Sequence, residues 1–160
     1  MPLPAYVRAR MKDPDDPLKK RAEREGLTMV RGDIVPSTRR AHEAAEFARA
    51  RGQLDRMNAA LLRRYWTEAQ DLHALETLRG AAEEAGLEPD ELQRAIEAGT
   101  YRPAVEASIR EAHELGIHAV PTFVFANRLA IQGAHELPVF RSAMQRLGAR
   151  PRAPDETDPA

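Results

Sequence analysis

Apolar side chains recur every three to four residues through most of the chain, on stretches rich in Ala, Glu, Arg and Leu. That is the period of helices with one covered face. A short helix is expected over Ala5 to Met11, between prolines. Asp13-Pro14-Asp15-Asp16-Pro17 is a turn leading into the next helix, with Asp16 as N-cap, Pro17 in the first helical position and Gly26 as the stop. Thr28 to Pro36 is irregular. Ser37 or Thr38 caps a helix that runs to about Arg51 and ends at Gly52; its Ala41, Ala44, Ala45 and Ala48 make a thin, close-packing face beside Phe47. Leu54 to about Trp66 follows, with Leu54, Met57, Leu61 and Tyr65 on one stripe. Leu75, Leu78, Ala82 and Ala85 mark a helix closed by Gly86. Pro89 opens a short helix over Asp90 to Ala98, with Asp90 and Glu91 at its positive end and Gly99 after it. Arg102 to Leu115 ends the series, with Val105, Ile109 and Ala112 inward and Gly116 as the stop.

The texture changes at Ile117. Val120-Pro121-Thr122-Phe123-Val124-Phe125 is the one β-rich run. Ala126-Asn127-Arg128 is a turn, Leu129-Ala130-Ile131 the returning strand, and Gly133 its break. Glu136 to Leu147 forms a final helix stopped by Gly148. Phe123 to Phe125 is apolar on both faces, as in a central strand covered twice, yet a two-stranded sheet is marginal alone. The expected organisation is therefore a helical part over residues 1–116, a ββα unit over 117–148, and a disordered tail over 149–160 that holds no apolar anchor. The fold class is α/β and helix-rich.

Composition narrows the function. The chain has 160 residues, a length that suits one modest core, and 24 Lys+Arg against 25 Asp+Glu. With no basic excess and only 5% aromatic residues, nucleic acid is excluded as a first expectation. No apolar run approaches a membrane span and the first residues carry no secretory pattern, so a cytoplasmic protein with no membrane partner is expected. Cysteine is absent, which excludes a disulfide framework, a thiolate metal site and a thiol nucleophile within these residues. The five histidines have no metal-ligating spacing: His113 and His118 flank a helix end, His135 follows the hairpin, and no acid completes a set. No metal site and no catalytic residue is assigned.

Ala119-Val120-Pro121-Thr122-Phe123-Val124-Phe125, followed by Asn127-Arg128 and Ile131-Gln132-Gly133-Ala134, resembles the second half of the thioredoxin-like fold. More closely, it is similar to the DsbA-like oxidoreductases of the FrnE type, relatives of the glutathione-dependent 2-hydroxychromene-2-carboxylate isomerases. Pro36-Ser37-Thr38-Arg39-Arg40-Ala41-His42, and Tyr65-Trp66-Thr67-Glu68 ahead of Asp71-Leu72, resemble the helical insertion of that family. The resemblance covers roughly Leu3 to Leu147. It implies an incomplete thioredoxin-like fold: a large helical insertion followed by the C-terminal ββα unit. It also implies a cis-proline at Pro121, with the backbone N–H and C=O of Val120 offered to an extended peptide or a small thiol in β-augmentation fashion; Val120, Pro121 and Thr122 are the substrate-binding candidates. A plain turn proline is the alternative.

The chain departs from that family in one respect. Members begin with a strand, a Cys-X-X-Cys (a serine-bearing equivalent in the isomerases) at a helix N-terminus, and a second strand, none of which is found here. The resemblance thus implies a truncated or mis-started enzyme, inactive as given, or a natural remnant; truncation is favoured because the doubly apolar strand still asks for a neighbour. Glutathione enters as cofactor only on the isomerase reading. A third reading is a non-catalytic interaction module, pairing with a second copy through the exposed strand edge. His42, Trp66, Gln132 and His135 are candidate cleft residues, each with a plainer alternative: a surface histidine, core packing, a loop. Arg39-Arg40 and Arg63-Arg64 are solvated cationic pairs.

Overall fold

The computed structural model describes residues 16–30, 32 and 35–150. The expected helix over Ala5 to Met11 and most of the expected disordered tail lie outside the described residues. The described chain is seven helices and one hairpin, in the order α1 (Pro17–Arg24), α2 (Arg39–Arg49), α3 (Leu54–Trp66), α4 (Leu75–Glu84), α5 (Pro89–Glu97), α6 (Arg102–Glu114), β1 (Thr122–Phe125), β2 (Leu129–Gln132) and α7 (Leu137–Arg146).

Local chemistry explains most boundaries. Asp16 accepts the Leu18 N–H at 3.0 Å and Pro17 stands in the first turn of α1. Thr38 occupies the N-cap position of α2, but its side chain makes no capping bond; only its carbonyl enters the helix, from His42 N–H at 3.0 Å. Helix ends follow one rule. At Gly52, with φ +70°, the Gly52 and Gln53 N–H groups turn back to Arg49 and Ala48 carbonyls at 3.1 and 2.9 Å, satisfying groups that the helix leaves open. Only α3 lacks a glycine there. Ala69, at φ +53°, takes the left-handed position, and Gln70 N–H reaches Arg64 C=O at 2.9 Å.

The chain divides into two units, 1–109 and 110–160, the division falling inside α6. Gly116, at the expected boundary, stands two residues after the last residue of that helix, with φ +70°. In the first unit α2 packs on α3, α4 and α5, and α3 packs on α4. Phe47, Met57, Leu78 and Leu92 are the largest fully buried apolar side chains, one from each of these four helices. Ala41, Ala44 and Ala48 of α2, with Ala81, Ala82 and Ala85, are buried among them, so the thin alanine face serves close helix approach. Tyr101 packs against this core and Val105 is buried. Ile109, expected inward, is 45% exposed, because among the described residues of the first unit no helix covers α6 a turn beyond Val105.

In the second unit β1 and β2 pair antiparallel, Thr122 opposite Gln132, Phe123 opposite Ile131, Val124 opposite Ala130 and Phe125 opposite Leu129. Ala126 and Asn127 both adopt positive φ, 50° and 51°, and Arg128 N–H donates to Phe125 C=O at 3.0 Å, as a tight hairpin turn requires. Phe123 and Phe125 share a face, and Phe140 of α7 stands edge-on to Phe123 at 4.8 Å and tilted to Phe125 at 6.4 Å. The opposite face holds Val124, half-exposed. Among the described residues of this unit the expected cover is present on one face only, since a period of two sends alternate residues to opposite sides and α7 lies against the Phe123 and Phe125 side. Among the described residues the sheet has two strands, so each strand has one unpaired edge.

Candidate functional site

The loop entering β1 and the turn leaving β2 meet. The Val120–Pro121 peptide is cis. Pro121 C=O accepts the Gly133 N–H at 2.7 Å, which extends the strand register one pair beyond Thr122 and Gln132. Gly133 has φ +91°, a conformation side chains resist, and this is what lets β2 break away while its N–H still points at Pro121. Thr122 Oγ1 donates to Ala119 C=O at 2.7 Å, tying the loop to the strand that follows it. His135 Nε2 lies 2.9 Å from Gln132 C=O and closes the far side of the turn.

The register fixes which way the backbone points. With Pro121 and Gly133 joined, Phe123 and Ile131 two residues on form the next hydrogen-bonded pair. Thr122 and Val124 consequently turn their N–H and C=O groups to the outer edge of β1. Val120, just ahead, is 90% exposed, the most exposed large apolar residue of the described chain. An open strand edge beside an exposed apolar side chain can take an extended polypeptide: main-chain bonds supply affinity and alternate side chains supply selection. The Thr122 hydroxyl is spent on Ala119, and the chain has no thiol. No group of three metal-ligating side chains gathers among the described residues.

Of the sequence candidates, Val120, Pro121, Thr122, Gln132 and His135 thus come together around one loop. His42 and Trp66 belong to the first unit. His42 is exposed on α2. Trp66 is partly buried, edge-on to Tyr65 at 4.7 Å, and lines an apolar groove of about 520 Å³ with Leu18, Ala22, Leu27, Met29 and Leu62. Every one of these lining residues belongs to the first unit. Arg63 at the groove wall pairs with Glu84 and Glu68. The Arg64 and Arg63 guanidiniums, hydrogen-bonded to Glu84, hold its carboxyl below the usual glutamate range. Sequence reasoning missed the groove because α1 contributes it without burying a single residue of its own. It also missed Glu43, a buried acid of α2; the signal was its place four residues before Phe47, on the flank of the apolar face.

A family model for the DSBA-like thioredoxin domain matches residues 2–145. The chain is 30% identical over 110 residues to the uncharacterized protein YwbO of Bacillus subtilis (strain 168), an alignment covering 68% of this chain and 54% of that one. Its structure is similar, with a TM-score of 0.76 and 29% identity, to the crystal structure of a probable DsbA oxidoreductase from Streptomyces coelicolor, covering 88% of this chain and 62% of that one. The chain spans about half the length of the curated relative it matches. Among the described residues no helix is long and apolar enough to cross a membrane.

Proposed function

Because this chain belongs to the DSBA-like thioredoxin domain family, we propose that it is the substrate-holding part of a thiol–disulfide oxidoreductase of the FrnE type. The cysteine pair would be supplied by polypeptide other than these 160 residues, which contain none. The observation that carries this reading is the edge of β1, with Thr122 and Val124 turned outward and Val120 90% exposed, beside a loop held by the Pro121–Gly133 bond. An extended peptide, or a small thiol of peptide character, would lie along that edge. The exchange itself needs a thiolate that attacks one sulfur of a disulfide, releases the other as thiol, and is then resolved by a second cysteine, so that the dithiol is oxidised as the substrate is reduced. Every sulfur in that sequence of steps would come from the substrate and from the supplied cysteine pair. The exposed edge also suits a second copy of the chain, and sedimentation over a range of concentrations would reveal self-pairing.

The test is an insulin-reduction assay with dithiothreitol and no other thiol protein. The chain alone is expected to add nothing to the background rate. Turnover above background, proportional to the amount of chain, would contradict the proposal.

A further inference from the structure

Glu43 is the one acid of α2 that is buried. Its side chain is 2% exposed; Oε1 lies 3.7 Å from Nε of Arg102 and Oε2 has no hydrogen-bond partner. Arg102 opens α6 and is half-exposed, at 53%. Gly99, with φ +65°, lies beside its guanidinium, and a Cβ there would stand in ordinary contact with it at 3.4 Å. Beside the pair, Tyr101 stands edge-on to Phe47 at 6.0 Å, and Arg51 lies 3.6 Å over the Phe47 ring while donating to the Tyr101 hydroxyl at 3.2 Å. One turn along α6, Arg39 and Glu106 repeat the tie at the surface, 3.1 Å apart.

A buried carboxylate is costly unless a cation compensates it, and a well-packed apolar residue in its place is often no less stable. Arg102 is the one cation within 4 Å of Glu43 among the described residues. We infer that Glu43 and Arg102 form a latch that fixes the first turn of α6 on α2, the acid being kept for the placement of that turn rather than for overall stability. The latch stands at the root of the segment that runs on through α6 into the loop of Val120 and Pro121.

Urea unfolding and amide hydrogen exchange of the full chain test this with three variants. Glu43→Leu is expected to leave the unfolding equilibrium unchanged or shifted toward folding. It should nonetheless speed exchange in the first turn of α6, where Val105 N–H meets Tyr101 C=O at 3.2 Å, by about tenfold or more, while α3 keeps its protection. Arg102→Ala strands the acid and should raise the unfolding constant on the order of 10–100-fold, and adding Glu43→Gln should recover at least about fivefold of that. Should Arg102→Ala fail to fold, folding of the double variant is the same recovery. The inference is overturned if Glu43→Leu destabilises the whole chain or leaves first-turn exchange unchanged, or if the double variant is no more stable than Arg102→Ala.

Discussion

Ala69 carries a conformation that its side chain resists. At φ +53° it does the work that glycine does at the other helix ends, and the left-handed region costs a non-glycine residue about 1–2 kcal/mol, part of which glycine gives back through its looser unfolded chain. Ala69→Gly is therefore expected to stabilise the chain by about 0.5–1 kcal/mol, raising the melting temperature by roughly 1–4 °C in calorimetry. A lower melting temperature would contradict the argument. Glu84 makes a pH-dependent contribution. Arg64 and Arg63 lower its folded carboxyl below the usual range, so as the pH falls the unfolded chain takes up the proton first. Its stabilisation is complete above the ordinary glutamate value and is lost as the pH drops through the lowered folded one. The difference in urea midpoint between the parent chain and Glu84→Gln should thus shrink on going from neutral to acid pH, and shrink in high salt, since the carboxylate is nearly half-exposed. A difference constant with pH would contradict it. At this scale the sequence was an uneven guide: Gly133 was visible as the break after the returning strand, whereas Ala69 was not visible as a stop, because nothing in an alanine announces a left-handed residue. Glu43 was hidden by its type, a charge on a helix otherwise covered with solvated ones.

Among the elements, the helices were plain in the pattern and the strands plain in composition. Five of the seven described helices show the apolar period against the four-helix core or begin with proline, and each stop rests on a glycine except that of α3. What the pattern could not supply was distance from the core. Ile109 keeps the period of α6 and still faces solvent, because periodicity says which face is apolar and not whether anything covers it. The groove around Trp66 escaped for the same reason. The hairpin depends on one helix. Phe140 is the ring that both Phe123 and Phe125 touch, and a two-stranded sheet without such cover is marginal. Phe140→Ala is expected to destabilise the ββα unit by about 2–3 kcal/mol, somewhat less than a fully buried phenylalanine costs. Hydrogen exchange across β1 and β2 should rise steeply while amides of α2 and α4 keep their protection. Unchanged protection in the hairpin would show that α7 is not what holds it.

For the molecule as a whole, the fold and the family were within reach of the sequence because one short run, Val120 to Phe125 with its returning strand, carries the distinctive residues. The site was half within reach. Val120, Pro121, Thr122, Gln132 and His135 gather at one loop, and the turn bond between Pro121 and Gly133 that organises them depends on register, which residue types alone do not specify. The central claim is that this chain holds an extended substrate along β1 and leaves sulfur chemistry to cysteines it does not contain. It is tested most directly by nuclear magnetic resonance titration of the isotope-labelled chain with an extended peptide whose cysteine is alkylated. The amides of Thr122 and Val124, with that of Val120, are expected to shift together and saturate. Shifts confined to residues around Trp66, or none at all, would contradict it.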